Sequence, residues 1–70
     1  MEALLNVALS DSRKAEEDLA HARAQYDRIA KLVERKVSSI TQLEDAHQKR
    51  SIAEAALQSA EARIAQAESG

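Results

Sequence analysis

Cysteine, proline, phenylalanine and tryptophan are all missing from this chain, and its one glycine is the last of its 70 residues. Without cysteine there is no disulfide framework and no thiolate metal site, and the redox compartment goes unread. Without turn residues and aromatic or β-branched runs, no sheet architecture is available. No apolar run approaches the roughly 20 residues that a membrane span requires. Met1 to Leu5 lacks a basic segment and a long apolar one, so it does not read as a signal peptide. The chain is therefore expected to be either cytosolic or a piece excised from something larger. Its net charge of −2 is too small to force disorder.

What the chain does have is alanine. Fifteen residues are Ala, and Ala, Glu, Lys, Leu and Arg together make 40 of the 70. That exceeds the roughly half that marks coiled coils and long helices. So short a chain, with half of its apolar residues Ala, cannot enclose a dry pocket of ordinary ligand size. No enzymatic activity and no cofactor are expected.

The apolar pattern is a heptad, and it runs twice. Leu5, Ser12, Leu19, Tyr26 and Val33 recur every seven residues, with Ala8, Ala15, Ala22 and Ile29 offset by three. Leu43, Arg50, Leu57 and Ile64 recur likewise, with Ala46, Ala53, Ala60 and Ala67 offset by three. These are the a and d positions of two coiled-coil helices, and only Ser12 and Arg50 miss the apolar rule. Between the two series the frame breaks, since Lys36 falls on a d position. Ser39 and Gln42 form a capping box. Glu44 and Asp45 follow near the start of the second helix, where the dipole favours anions, and Arg35 and Lys36 stand where a first helix ends.

Stop and start signals therefore coincide, and the predicted fold is all-α, an antiparallel two-helix coiled-coil hairpin in one domain. Helix 1 is expected over about 3–36, the tip at 36–39 and helix 2 over about 39–68. Folding the chain back about residue 38 pairs Val33 with Leu43, Tyr26 with Arg50, Leu19 with Leu57 and Ser12 with Ile64. Each pair of numbers sums to 76. Ile29 with Ala46, Ala22 with Ala53, Ala15 with Ala60 and Ala8 with Ala67 each sum to 75. Large layers then meet large layers and Ala meets Ala. Tyr26 and Arg50 are expected to face each other, guanidinium on phenol. The rival reading, one continuous helix, is opposed by the phase break and the capping box.

Several apolar residues lie off the seam: Leu4, Leu9, Leu32 and Ile52, with Ala55 and Ala56 among others. Helix propensity explains the alanines but not the larger side chains. The flanks are therefore expected to pack against other helices, and the lone hairpin to be marginal, associating through Ile52, Ala55 and Ala56. Residues 27–50 hold six basic and four acidic side chains, too few for a phosphate-binding stripe, and no aromatic is interleaved for base stacking. No nucleic acid is expected as a partner. His21 and His47 sit in no metal motif and read as surface histidines. Ser38 and Ser39 have no His base nearby in sequence and read as caps, not nucleophiles. No catalytic, metal or cofactor-binding residue is assigned.

Arg28, Leu32 and Ser39 stand as R-x-x-x-L-x-x-x-x-x-x-S, within Ala24-Gln25-Tyr26-Asp27-Arg28-Ile29-Ala30-Lys31-Leu32 and then Ser39-Ile40-Thr41-Gln42-Leu43-Glu44-Asp45-Ala46. This run resembles the α-hairpin of HlyD-like membrane fusion proteins, the periplasmic adaptors of tripartite efflux pumps and type I secretion systems. Ala-rich arms such as Ala53-Glu54-Ala55-Ala56-Leu57 are usual for that family. Two departures are visible: Lys36-Val37 where the family often has Gly near the turn, and Ser38 where an aliphatic residue commonly precedes the motif Ser. The seven-residue step from Leu32 selects Ser39, with Ser38 beside it.

The resemblance implies that Arg28, Leu32 and Ser39 lie at the hairpin tip and meet the periplasmic end of a TolC-type outer-membrane channel. It also implies neighbouring hairpins of the same protein, six in the assembly, and a periplasmic location with the parent held at the inner membrane. This segment itself would not insert into the membrane. The chain would be an excised hairpin, with Met1 not native to it. In the heptad frame Arg28 is c and Leu32 is g, so both point off the seam and share one outer face. Leu32 is expected to be exposed. The competing reading is an unrelated helical hairpin, an oligomerisation or RNA-binding arm.

Overall fold

The computed structural model describes residues 2–69; Met1 and Gly70 lie outside them. Helix α1 spans Glu2–Glu34 and helix α2 spans Ile40–Ser69, packed against each other as an antiparallel hairpin. The Cα extents are 52 × 13 × 10 Å. At 1.5 Å per residue a 33-residue helix measures about 50 Å, so the object is one helix long and two helices wide. Among the described residues there is no strand, and no helix is long and apolar enough to cross a membrane.

The seam follows the heptads. Every a and d position of both series is buried or half-buried. The deepest residues are Ala60, Ala46, Leu19, Ala8, Ala15 and Ala53, with Ser12 among them. Five of these six apolar residues are Ala, so what packs at the seam is methyl on backbone. Small side chains bring the helix axes close, which explains how a rod this thin excludes water at all. The same economy limits the energy: no large side chain is fully buried, and hydrophobic stabilisation scales with apolar area removed from water. Among the described residues one ion pair crosses the seam, Arg63 to Asp11 at 3.9 Å, with both side chains well exposed. It contributes little at such exposure.

Two motifs build the turn. Lys36 is at φ 61°, the one positive φ among the described non-glycine residues. Its N–H donates to Val33 O at 2.9 Å, and the Val37 N–H donates to Leu32 O at 2.8 Å. These are the 5→2 and 6→1 bonds of a Schellman cap, with Lys36 in the left-handed position that glycine usually takes. Three residues later the Ser39 N–H donates to Gln42 Oε1 at 2.9 Å and the Gln42 N–H to Ser39 Oγ at 3.2 Å. This reciprocal capping box starts α2, and Ser39 O accepts its first helical bond from the Leu43 N–H.

Two boundaries differ from the sequence reading. Helix α1 ends at Glu34 rather than near 36, because the left-handed Lys36 turns the chain out of the helix. Arg35 and Lys36 thus lie beyond the last turn, whose basic residue is Lys31. Helix α2 begins at Ile40, so Glu44 and Asp45 fall just past a first turn that holds no acidic side chain.

A left-handed conformation costs a non-glycine residue about 1–2 kcal/mol, partly offset in glycine by its freer unfolded chain. Lys36→Gly is therefore expected to stabilise the hairpin by about 0.5–1 kcal/mol. For a domain this small, that raises Tm by about 2–8 °C. A thermal melt followed by circular dichroism reads it, and a lowered Tm would refute the left-handed cap.

Candidate functional site

The tip end of the rod carries the three residues that the resemblance singled out. Arg28 and Leu32, one helical turn apart on α1, line a shallow open groove with Ala24, Asp27, Lys31 and Arg35. The Arg28 guanidinium donates to Gln25 Oε1 from the preceding turn, which holds the long side chain along the helix. Arg28 is exposed. Leu32 is half-buried rather than exposed. Its carbonyl accepts from both the Val37 and the Ser38 N–H, at 2.8 and 3.3 Å, so the returning loop folds back over this turn of α1.

Ser39 is not part of that groove. Its hydroxyl is engaged in the capping box, and its role in the fold is to fix where α2 starts. Ser38 is half-buried with its N–H tied to Leu32 O, so the helix cap is Ser39. The structure therefore brings Arg28 and Leu32 together and places Ser39 as the residue that holds the tip in shape.

Sequence reasoning missed two apolar residues here. Val37 and Ile40 are 71% and 66% exposed at the extremity of the rod. A signal for both was available. Val37 lies in the break between heptads and Ile40 at an e position, so neither has a seam to enter. With Arg35 and Lys36 beside them, they make the tip both apolar and cationic.

Further down the rod the pairing of Tyr26 with Arg50 holds. The Arg50 guanidinium carbon lies 4.2 Å from the Tyr26 ring centroid. Arg50 Nη2 donates to His47 Nδ1 at 3.3 Å, and the His47 ring tilts 58° to Tyr26 at 6.1 Å. His47 is exposed but not idle, as it closes one side of this layer. Arg50 Nε is buried without a hydrogen bond; Glu54 Oε1 lies 3.8 Å away, close enough only for ionic attraction. A cation thus takes an apolar seam position because an aromatic face receives it. The same cluster gives a reason for register: a slip of one turn would leave Arg50 over Ala22 or Ile29 instead of the Tyr26 ring.

Among the described residues no three His, Asp or Glu gather to hold a metal ion. The grooves along the rod are open troughs between neighbouring side chains, such as that lined by His21, Ala22, Gln25, Ile29, Asp45 and Lys49. The arrangement suits contact with another surface.

A double-mutant cycle with Tyr26→Leu and Arg50→Met is expected to give a coupling of about 0.5–1 kcal/mol, the range for a partly exposed cation over a phenol ring. Chemical denaturation of the four proteins measures it. A coupling of zero would mean that the two side chains do not meet in solution.

Compared with known proteins, the chain matches no family model, no curated protein and no solved structure.

Proposed function

We propose that this hairpin is the docking arm of a periplasmic adaptor, linking an inner-membrane transporter to a TolC-type outer-membrane channel for efflux or secretion. The observation that carries the reading is the shared groove of Arg28 and Leu32 on the outer face of α1, one turn from a tip that Ser39 caps. In this proposal the parent protein is periplasmic and anchored at the inner membrane, and several hairpins, six by resemblance, stand side by side. The role is structural, with no catalytic residue and no cofactor.

The physical logic favours a multivalent contact. Two helices side by side, each about 10–12 Å across with side chains, present an end far smaller than the roughly 800 Å² per partner of a standard interface. One tip alone binds weakly, whereas a ring of tips gains through effective concentration. Leu32 supplies an aliphatic wedge and Arg28 a planar donor fork for carboxylates or carbonyls on channel helices. Val37 and Ile40 add apolar area at the extremity.

Hairpins displayed at high density on a surface, with a TolC-type channel in detergent flowed over them, test the proposal. Leu32→Ala and Arg28→Ala are each expected to weaken capture at least about tenfold, because in this reading both are central anchors, whose truncation costs about 2 kcal/mol or more. Because Leu32 is half-buried, its truncation is also expected to cost about 1 kcal/mol of stability, part of the full core penalty, so binding is read well below the melt. Leu19→Ala removes the most buried large side chain of the seam and is expected to cost about 2 kcal/mol or more while sparing capture at low temperature. Undiminished capture by both tip variants would sink the reading.

A further inference from the structure

The two helices differ in what they turn to solvent. On α1 the b, c and f positions, opposite the seam, carry Arg13, Lys14, Glu17, Asp27, Arg28, Lys31 and Glu34. On α2 the same positions from Gln48 to Ser69 carry no charge at all. All ten of them are exposed, and the largest is Ile52, 60% exposed. In a chain that is 31% charged, the face that should be most solvated is the least charged. Consistent with this, the apolar residues of α1 gather on one side, whereas those of α2 spread around it, the pattern of a helix covered on more than one face.

The molecule exposes 5415 Å², against about 4300 Å² for a compact monomer of its mass, as a two-helix rod must.

From Gln48 on, the charges of α2 flank this bare face in two columns of opposite sign. Lys49, Glu54 and Arg63 among them also pair within the chain, with Asp45, Arg50 and Asp11, at mostly exposed sites where such pairs hold them weakly. On one edge lie Glu54, Glu61 and Glu68, at e positions; on the other lie Lys49 and Arg63, at g positions. A two-fold axis parallel to the helix sets the acidic edge of one copy against the basic edge of the other, on both sides at once. An antiparallel two-fold would set acid against acid. In the parallel arrangement Arg63 stands two residues from the level of the partner's Glu61 and five from the partner's Glu68, about 3 and 8 Å along the axis.

We propose that the back of α2 is an interface to a second copy of this chain, paired in parallel about a two-fold axis with both tips at the same end. The occupant is a copy of α2 because the face is uncharged at its centre and complementary to itself at its edges. Ala55 and Ala62, at f positions, meet their own copies at the dyad and let the backbones approach, with Ile52 and Ala65 to either side. The contact is a strip about 33 Å long, at the small end of specific interfaces, so its affinity is modest. The pairing does not depend on the docking proposal, since it requires only this chain.

Sedimentation of the 70-residue chain from about 10 µM to about 1 mM tests it, since mass action makes a weak dimer concentration-dependent. A monomer–dimer equilibrium is expected. Ile52→Glu and, separately, Ala62→Glu bring like charges together beside or at the dyad and are expected to weaken the dimer at least about tenfold. Circular dichroism on each variant confirms that it remains helical, and Arg13→Glu on the charged back of α1 is expected to change nothing. Orientation is read from Ala55→Cys and Ala62→Cys as single variants, both at the f positions that lie on the dyad. In a parallel pair both positions meet themselves and both cross-link; in an antiparallel pair about any one centre they cannot both do so. A monomer throughout, a dimer untouched by both Glu variants, or cross-linking at only one of the two cysteine positions would each overturn the proposal.

Discussion

The rest of the structure depends on the close approach of two alanine-lined helix faces. Ala8, Ala15, Ala46, Ala53 and Ala60 are the buried d positions of the two helices, and apart from Ile29, opposite Ala46, the larger seam side chains stand in the other layers. That constraint sets the thickness of the rod and confines the other large side chains to alternate layers. It also fixes what can stand in them. Leu19 fills its layer, Ser12 is small enough to be buried in another, and Arg50 enters a third only because Tyr26 offers it a ring face. A seam of alanines gains little hydrophobic energy per layer, so the hairpin is held by repetition along its length rather than by any single core residue.

The tip shows the same reliance on backbone geometry. Five residues separate the helices, and in that span the last carbonyls of α1 and the first N–H groups of α2 both find partners. The Schellman bonds to Val33 O and Leu32 O close one end, and the Ser39–Gln42 box opens the other. Apart from Ser39 and Gln42, this leaves the side chains around the turn free of structural duty. Val37 and Ile40 can stand in solvent, and Arg28 and Leu32 can share an outer groove, because the main chain holds the tip without them. A stiff narrow rod with a fixed tip and an uncharged back suits an arm that presents its end to one surface and its side to a neighbour.

Much of this was legible in the residues. The two heptads predicted every seam position, and the pairing by number placed Tyr26 against Arg50. The capping box was visible as Ser39 and Gln42. What the sequence did not reveal was local and conformational. The left-handed φ of Lys36 has no signature in a residue that ordinarily avoids it, so α1 was drawn two residues too long. Leu32 was expected in solvent because its heptad letter points off the seam, but the loop folds back over its carbonyl, and a heptad frame contains no loop. His47 looked unattached because its partners, Tyr26 and Arg50, come together only once the chain is folded. The flank of α2 bearing Ile52, Ala55 and Ala56 was expected to pack against other helices; that the edges beside it carry opposite charges becomes meaningful only when the seam fixes which side is out.

The alanine seam and its register are tested most directly by a single covalent link. Ala15 and Ala60 belong to the same layer and border the same groove between the helices, so Ala15→Cys with Ala60→Cys places two thiols within the roughly 4–7 Å Cα separation that a disulfide tolerates. Mild oxidation of the dilute double variant is predicted to form an intrachain disulfide in nearly every molecule while the far-ultraviolet helix signal is unchanged. A protein that stays reduced, or that oxidises only with loss of helix, would contradict the register and with it the hairpin on which the tip and the back of α2 both depend.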